Sequence, residues 1–451
     1  MKEVGIDAIS FDLPKIYLDI KDLAALRGIE AAKLEFGLGL KKMAFPDVHQ
    51  DVVVFAANAT RKLILQEGLK AEEIDRIYLG TESSFDASKP IASYLLQLLE
   101  ESIFEPGALE NCDVVDLTFA CIGGVDALQN SLDFVRANPG KKAIVVTTDI
   151  AKYDLASTGE YTQGAGALAM LVSENPKIIS FDQDWTVSTS GVFDFFKPKR
   201  TVKKKDLGLM QNEAWQGVLE TKISIAKDQP IFDGQYSNAC YLDRTKSSYL
   251  KLTQLKNSRE RFYEASESIV MHLPYCFQAR RNFVELYIED SPLKLELEAS
   301  ASKADFVRSV SKSEAYTKLV QEKILPSEIA SAEIGNLYTG SIFMSFLSAL
   351  SYFLKEGKTL KGKQILFIAY GSGSKSKSFV GELSKGWKEK IAQVQLFETL
   401  ASRQSIDTDS YIKLHKKELD ASVINAKDEY ILDRIEEESP NLIGARYYKL
   451  V

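Results

Sequence analysis

Apolar residues along this chain occur in two patterns, short continuous runs and stripes spaced three to four residues apart. The continuous runs predict strands at residues 76–80, 113–120, 141–149 and 165–173. The stripes predict helices at residues 22–26, 51–65 and 88–100, and a further helix directly after Cys121. Ser88 is predicted to lie near the cap of the third helix, which is expected to start at that residue, with Pro90 in its first turn. Because strands and helices alternate, the pattern predicts an α/β fold.

The same order of elements returns in the second half of the chain. Residues 267–272 predict a strand, residues 278–287 a helix, and the run "KQILFIAYG" another strand. The stretch "GNLYTGSIFMSFLSALSYF" mirrors "FACIGGVDALQNSLDF", since each is a short glycine-containing entry into an apolar helix. We therefore predict an internal duplication of one αβαβα unit. The predicted halves are residues 1–172, with Glu82 and Cys121, and residues 173–451, with His272, Asn336 and a Gly-Ser loop.

Two charged segments interrupt the second half and are predicted to be insertions, near residues 197–228 and 291–332. The first opens with "KPKRTVKKK", in which six of nine residues are basic. It is interpreted either as a solvated loop or as a contact for phosphate or an acidic partner. The second segment is predicted to be helical. The tail from about residue 402 predicts a peripheral helix and a strand.

The segment 334–354 contains no charged residue and is long enough to be tested as a membrane span. It also contains Asn336, Thr339 and four serines, and two glycines separate its first part from the rest. The helix is predicted to start near Ser341 and to run ~14 residues, or ~21 Å, which is short of the ~30 Å hydrocarbon core. The pattern favours a central helix of a soluble fold over a membrane span.

Composition narrows the function classes. The chain has 451 residues, 45% hydrophobic and 26% charged, which is typical of a globular protein. Its net charge of -7 argues against a general nucleic-acid binder. The four cysteines form no CxxC pair and no zinc-ligand spacing, which favours a reducing compartment such as the cytoplasm. The first twenty residues are interrupted by charges and contain no apolar core of a signal peptide.

Cys121 stands where a predicted strand gives way to a helix. A free cysteine is most often a small buried hydrophobe. At a helix N-terminus, however, the macrodipole and the unpaired N–H groups stabilise the thiolate, which is the nucleophilic form. Gly123 and Gly124 keep bulk away from the sulfur. We therefore predict that Cys121 is a nucleophile and that the other three cysteines are structural.

Two further side chains follow predicted strands. Glu82 comes after "YLGT" and is either a surface carboxylate or a general base at a strand end, where α/β folds place their sites. His272 ends the run "SIVM" and is either a core histidine or a functional one. The other two histidines, His49 and His415, are interpreted as surface positions. The loop "YGSGS" is suited to a phosphate or an oxyanion but matches neither a Walker motif nor GxGxxG.

Eight motifs, in order along nearly the whole chain, resemble the 3-hydroxy-3-methylglutaryl-CoA synthase family of the thiolase superfamily. They are "GIDAISFDLPKIYLD", "GTESSFDASK", "FACIGG", "GEYTQGAGALAML", "VFDFFKP", "MHLPY", "GNLYTGS" and "YGSGS". The resemblance implies a thiolase-like fold, with duplicated αβαβα halves that form a five-layered core. It also implies an acyltransferase of the mevalonate pathway, a homodimer, and neither a metal nor a redox cofactor.

The resemblance assigns roles to matching positions of this sequence. Cys121 matches the family's nucleophile, Glu82 its general acid/base, and His272 its acceptor-site histidine. Asn336 and Tyr338 match the residues that line the acyl pocket. Gly371 and Ser372 match the Gly-rich loop, whose serine stands beside the oxyanion.

The family's chemistry fits these residue types. Acetyl-CoA acylates the cysteine, a base removes a methyl proton, and the carbanion equivalent attacks the ketone of acetoacetyl-CoA. Water then releases the product from the enzyme thioester. The implied partners are acyl-CoA substrates, with no nucleic acid and no membrane.

Three features, at four positions, depart from the family's pattern. Ile122 replaces the usual tyrosine after the cysteine, Tyr161 replaces a proline, and Arg280 and Arg281 stand where lysines help to hold CoA. Arginine also binds phosphate, with a different geometry. These departures leave room for an acyl carrier protein as acceptor, as in relatives that add β-branches to polyketides. A non-catalytic thiolase-fold partner subunit is a further alternative, whereas Glu82 argues against a decarboxylating ketoacyl synthase, which needs no such base.

Overall fold

The computed structural model describes residues 3–209, 219–256 and 260–451, so residues 210–218 of the predicted insertion 197–228 lie outside the described residues. The described strands are β1 (Val4–Asp12), β2 (Ile16–Asp19), β3 (Lys42–Ala44), β4 (Arg76–Gly80), β5 (Asp113–Leu117), β6 (Ala143–Ala151), β7 (Gly164–Glu174), β8 (Ile179–Phe181), β9 (Thr186–Thr189), β10 (Phe195–Phe196), β11 (Arg200–Lys203), β12 (Lys222–Ile225), β13 (Ile231–Phe232), β14 (Ser268–Met271), β15 (Gln364–Gly371), β16 (Lys375–Leu383), β17 (Gln404–Ser405), β18 (Tyr430–Ile435) and β19 (Arg446–Leu450).

The described α-helices alternate with the strands over residues 52–151, as predicted, whereas residues 278–355 form consecutive helices with no strand between them. They are α1 (Ile20–Leu26), α2 (Ala31–Leu38), α3 (Val52–Glu67), α4 (Ile91–Ser102), α5 (Gly123–Ala137), α6 (Gly234–Lys256), α7 (Phe262–Ala265), α8 (Gln278–Glu289), α9 (Leu293–Ala299), α10 (Lys303–Ser311), α11 (Glu314–Leu319), α12 (Leu325–Ile334), α13 (Ser341–Lys355), α14 (Trp387–Val394), α15 (Leu396–Ala401) and α16 (Thr408–Lys416).

One continuous sheet organises the described part of the chain. Its path runs β14-β15-β16-β8-β1-β7-β6-β4-β5, and β9 pairs with β16. β4 is parallel to β5 and β6, and β14 is parallel to β15. The hairpin β6–β7 after α5 is antiparallel, as is the hairpin β15–β16 after α13. The same helix–hairpin unit beside a parallel strand therefore occurs twice, which confirms the predicted duplication.

Successive side chains of the strands enter different cores, because a strand points its residues alternately to its two faces. Val145 of β6 and Phe367 of β15 both face the central core, which contains the apolar sides of α5 and α13. Ile144 faces a second core beneath α3 and α4. Leu366 faces a third core with α6 and α8. The β6 region and the β15 region of the sheet thus form two strand layers on either side of the central helices. The order of layers is helix, strand, helix, strand, helix, as the predicted five-layered thiolase-like fold requires.

The uncharged segment 334–354 supplies the central helix α13. This helix begins at Ser341, as predicted, and twelve of its 15 side chains are buried. α12, from the end of the charged segment 291–332, packs alongside it, and Ser348 of α13 donates to the Pro326 carbonyl at 2.8 Å. No helix among the described residues is both long and apolar enough to cross a membrane.

Three local predictions are wrong, for reasons that depend on distant residues. α4 begins at Ile91 and has no side-chain cap from Ser88, because the Asp116 carboxylate accepts the N–H groups of Ile91 and Ala92 instead. His49 and His415 are both buried. His415 lies in α16 of the C-terminal segment, with Nε2 2.8 Å from the Tyr153 carbonyl oxygen, and the same segment packs over His49. His49 Nδ1 lies 2.7 Å from the Ser422 hydroxyl in that segment.

Candidate active site

Glu82 and Cys121 meet at one edge of the sheet. Glu82 follows β4 and Cys121 follows β5, and since these strands are parallel their carboxyl ends lie side by side. The Cys121 thiol donates to Glu82 Oε1 with a distance of 2.9 Å. The two predicted catalytic residues are therefore in direct contact, although 39 positions separate them in the chain.

Cys121 lies on a tight turn that leads into α5. Ala120 has a φ of 41°, in the left-handed region that residues with a side chain rarely occupy. Gly371, at the end of β15, packs against this turn. A Cβ at Gly371 would stand 2.7 Å from the Phe119 carbonyl oxygen and 2.8 Å from the Ile122 nitrogen. Only glycine fits there without displacement, so the Gly-Ser loop lies directly beside the nucleophile's turn.

The resting state of Cys121 differs from the prediction. Burial raises the pKa of the thiol well above its usual range, and the adjacent Glu82 carboxylate raises it further. A helix N-terminus contributes about 0.3 to 2 kcal/mol to a nearby anion. Here that contribution is outweighed by desolvation and by a like charge in hydrogen-bond contact. Cys121 therefore donates its thiol proton to Glu82 at rest, and the stabilisation of the thiolate expected from the helix N-terminus is outweighed.

Glu82 is poised to take that proton. Burial raises the pKa of its carboxyl to about 7, against the lowering effect of Lys197, while Asp149 adds a further increase. A carboxyl with this pKa is half ionised near neutral pH, which is where a general base is most effective.

Asp149 of β6 fixes the loop that carries Glu82. Its Oδ1 accepts the Glu82 N–H at 2.9 Å and the Ser83 and Thr81 hydroxyls at 2.8 and 3.2 Å. Its Oδ2 accepts the Thr339 N–H at 3.0 Å and the Thr339 hydroxyl. This buried carboxylate therefore joins the Glu82 loop of the first half to the Tyr338 turn of the second. The sequence analysis missed Asp149, although its charge inside the apolar run "AIVVTTDIA" was a visible signal.

Lys197 is the second residue that the sequence analysis missed. It is the first residue of the basic run 197–205, for which a solvated loop was one of the two interpretations. Its Nζ donates to the Glu82 carbonyl oxygen at 3.0 Å and lies 4.7 Å from the centre of the Tyr338 ring. Lys199, Arg200, Lys203 and Lys205 of the same run are exposed, as a solvated loop requires. Lys204 is buried, so the run is mixed.

An aromatic cluster adjoins the sulfur. Cys121 clusters with Ala151, Tyr153 and Tyr338, and the half-buried rings of Phe195 and Phe232 close the cluster. The Tyr338 turn is held by Asn336, whose Oδ1 accepts the Tyr338 N–H at 2.8 Å. The buried Tyr338 hydroxyl interacts with the Tyr153 hydroxyl but makes no hydrogen bond of standard geometry within the described residues. Of the two residues predicted to line the acyl pocket, Tyr338 therefore lies beside the sulfur, and Asn336 supports Tyr338.

His272 lies at the carboxyl end of β14, next to β15. Its N–H donates to the Ile368 carbonyl at 3.3 Å, and its own carbonyl accepts the Tyr241 hydroxyl at 2.8 Å. Burial lowers the pKa of its imidazole to about 3, so the ring is neutral at physiological pH. Nδ1 is buried without a hydrogen-bond partner in the described part of the chain. Such an orphaned ring nitrogen is available to a ligand.

The two arginines of α8 differ from each other. Arg280 is committed to the buried Glu328 carboxylate, with Nε at 3.0 Å from Oε2. This ion pair does not support the predicted phosphate contact of Arg280. Arg281 is exposed and donates to the Gly37 carbonyl, beside the exposed ring of Phe36. Its predicted role in holding CoA remains a prediction.

Ser372 lies in a loop braced by Asp194. Tyr370 donates its hydroxyl to Asp194 Oδ2 and Gly373 donates its N–H to Oδ1, each at 2.7 Å. Asp194 is three positions before Lys197, so the same carboxylate anchors the Gly-Ser loop and the segment that carries the lysine. The predicted oxyanion role of Ser372 remains a prediction.

The chain matches two family models that together cover most of its length. Residues 1–177 match the hydroxymethylglutaryl-coenzyme A synthase N-terminal domain, and residues 221–437 match the C-terminal domain. The chain belongs to the hydroxymethylglutaryl-CoA synthase family. This membership confirms the resemblance inferred from the ordered motifs.

The individual relatives of this chain agree with its assignment to the hydroxymethylglutaryl-CoA synthase family. Hydroxymethylglutaryl-CoA synthases of Haloferax volcanii and Enterococcus faecalis are each 30% identical to it, covering 92% and 93% of both chains respectively. The solved structure of MvaS in complex with 3-hydroxy-3-methylglutaryl coenzyme A superposes with a TM-score of 0.81 at 28% identity. That superposition covers 100% of this chain and 99% of MvaS. The HMG synthase of the curacin biosynthetic pathway, at 21% identity and a TM-score of 0.79 over 100% of both chains, shares the fold.

Proposed function

We propose that this chain is a hydroxymethylglutaryl-CoA synthase that condenses acetyl-CoA with acetoacetyl-CoA through an acetyl group carried on Cys121. The contact between Cys121 Sγ and Glu82 Oε1 at 2.9 Å carries the proposal, because it places a nucleophile on its base. Family membership supports it, and the reaction is an acyl transfer of the mevalonate pathway.

The first half of the reaction loads Cys121. Glu82 accepts the thiol proton, and the thiolate attacks the thioester carbonyl of acetyl-CoA. The bond between the acetyl carbon and the CoA sulfur breaks, and the proton on Glu82 passes to the departing CoA thiolate. Glu82 is left ionised beside the acetylated cysteine.

The second half forms the carbon–carbon bond. Glu82 removes a proton from the methyl group of acetyl-Cys121, and the Cys121 N–H and the Ser372 loop stabilise the enolate-like oxygen. The carbanion equivalent attacks the β-ketone of acetoacetyl-CoA, and the proton held by Glu82 passes to the resulting alkoxide, which leaves a tertiary hydroxyl and an ionised Glu82. Neutral His272 donates a hydrogen bond to that ketone, consistent with its orphaned Nδ1. Water then cleaves the thioester and frees Cys121.

A carrier-bound acceptor is the second candidate. The exposed lysines and arginine of the run 199–205 form a basic surface that suits an acidic carrier protein. The first candidate is preferred because the relatives at 30% identity are named for the CoA-dependent synthase.

The remaining features of the proposal are a homodimer, a cytoplasmic location, and a reaction without metal or redox cofactor. β5 is an edge strand among the described residues, pairs only with β4, and exposes Val115. An unpaired edge next to the nucleophile is a suitable surface for a second copy of the chain.

Product analysis tests the proposal. Wild-type protein is incubated with acetyl-CoA and either acetoacetyl-CoA or an acetoacetyl carrier protein, and the products are identified by mass. The proposal expects hydroxymethylglutaryl-CoA in the first reaction and its loss in Cys121→Ala. Product in the carrier reaction alone would establish the second candidate, and no product in either would support a partner subunit without catalysis.

A further inference from the structure

We infer that Lys197 is a positioning residue of the condensation, an ammonium group that keeps the Glu82–Cys121 pair able to ionise in its buried site. The inference deepens the proposed function and rests on it for the identity of the reaction. It concerns a lysine from a basic run that the function so far leaves unexplained.

The first support is geometric. Lys197 Nζ donates to the main-chain oxygen of Glu82 at 3.0 Å, so the cation is fixed to the residue whose side chain is the base. The same Nζ lies 4.7 Å from the centre of the Tyr338 ring, which belongs to the aromatic cluster beside the sulfur. A cation within about 6 Å of a ring face is attracted by it, and this attraction fixes the ammonium further.

The segment that carries Lys197 is itself held in place. Val192 donates its N–H to the Gly373 carbonyl at 2.8 Å, and the buried Asp194 accepts from Tyr370 and from the Gly373 N–H. These contacts tie the segment to the Gly-Ser loop, which packs on the Cys121 turn through Gly371. The position of Lys197 is therefore set by the scaffold and does not depend on a flexible surface loop.

The second support is the balance of charge around Glu82. The groups that face it are the Cys121 thiol before α5, the Asp149 carboxylate of β6, the hydroxyls of Tyr153 and Tyr338, and Lys197 from the segment before β11. Asp149 opposes ionisation of Glu82, and burial opposes it more strongly. Lys197 is the cation that favours the ionised forms of Glu82, Cys121 and Asp149 alike. Without it, two carboxyls and a thiol would share a buried site with no compensating charge among the groups that face Glu82.

The inference is tested by the pH dependence of Cys121 alkylation with iodoacetamide, which needs no acyl substrate. Lys197→Met keeps the length of the stem and removes the charge. It is expected to shift the alkylation midpoint upward by roughly one pH unit, the lower end of the shift that a neighbouring opposite charge produces. Lys197→Arg is expected to restore the wild-type midpoint, and Lys199→Met, an exposed lysine of the same run, to leave it unchanged.

A second measurement follows condensation in a single turnover. Pre-formed acetyl-enzyme is mixed with acetoacetyl-CoA at a series of pH values, and the acidic limb of the rate should move upward by a similar amount in Lys197→Met alone. An unchanged alkylation midpoint in folded Lys197→Met would overturn the inference. A shifted midpoint in a protein that makes no condensation product would instead retain the role of Lys197 and reject the proposed reaction.

Discussion

The thiol of Cys121 donates to the carboxylate of Glu82 across 2.9 Å, and each group is held there by a different strand of one parallel pair. Neither group has its ordinary acidity, since burial raises the pKa of both. The site therefore holds the thiol proton at rest, and in the proposed reaction its transfer to Glu82 activates the sulfur for acylation.

Glu82→Gln should separate the two halves of the reaction. The amide oxygen of this variant still accepts the thiol's hydrogen bond, but the amide cannot take a methyl proton, so condensation should fall by about 10²- to 10⁴-fold. Acetylation of Cys121 should slow but still reach completion. Both rates are measured by quenched flow with mass detection, and condensation at the wild-type rate would remove Glu82 from its role as base.

The stability of the protein should depend on pH through Glu82. The unfolded chain loses this proton near pH 4.5, whereas the folded protein keeps it up to about 7. Between these values the folded state binds more protons, so Glu82 costs stability as pH rises through the window and the full cost is present above pH 7.

Glu82→Gln should therefore stabilise the protein more at pH 8 than at pH 5. The expected difference is roughly 2 to 3 kcal/mol, at 1.36 kcal/mol per unit of pKa. Urea unfolding of wild type and variant at both pH values measures it, and the contributions of groups that do not interact with Glu82 cancel in the comparison. An equal effect at the two pH values would show that the pKa of the Glu82 carboxyl is not raised.

Asp149→Asn should destabilise the fold and loosen the Glu82 loop. Each oxygen of Asp149 accepts from a backbone N–H, of Glu82 or of Thr339, so an asparagine must turn an NH₂ group toward one of these donors. The expected cost is about 2 to 4 kcal/mol in urea unfolding. The exposed Asp133→Asn on α5 is the control and should stay within about 0.5 kcal/mol of wild type.

Loss of the Asp149 charge has a second, opposite consequence. Because that charge raises the pKa of Glu82, the acidic limb of condensation should move to lower pH in Asp149→Asn. A limb that moves upward instead would contradict the assigned charge balance.

Gly371→Ala should misplace the nucleophile's turn. The added methyl would stand 2.7 Å from the Phe119 oxygen and 2.8 Å from the Ile122 nitrogen, and backbone atoms cannot rotate away. We expect a loss of about 1 to 3 kcal/mol of stability and a drop in acetylation rate of up to about 10²-fold. Gly191→Ala, with nothing within 4 Å of the added methyl, should change neither quantity. Equal behaviour of the two variants would show that the close packing of Gly371 is unimportant.

The repeating architecture could be predicted from sequence because it depends on local pattern. β4 occupies residues 76–80 as predicted, and α13 begins at Ser341 as predicted, since in both cases the apolar period itself defines the element. The start of α4 was harder, because its cap is Asp116, 25 positions away in the chain.

The candidate site was predictable only in part. Cys121 and Glu82 have a local signal, the end of a strand beside glycine or threonine, and the structure brings them together. Lys197 has no such local signal, since its place in the site is defined by contacts with Glu82, far before it in the chain, and with Tyr338, far after it. The sequence indicates that the helix N-terminus lowers the pKa of the Cys121 thiol, but it does not show the burial and the Glu82 carboxylate that raise this pKa.

The most direct test of this account is the identity of the acetylated residue. Wild-type protein is mixed briefly with acetyl-CoA, quenched in acid, digested and mapped by mass spectrometry. The account predicts one acetyl group, on the peptide that contains Cys121, and none on Cys121→Ala. Unmodified wild-type protein, or an acetyl group on Cys112, Cys240 or Cys276 instead, would contradict it.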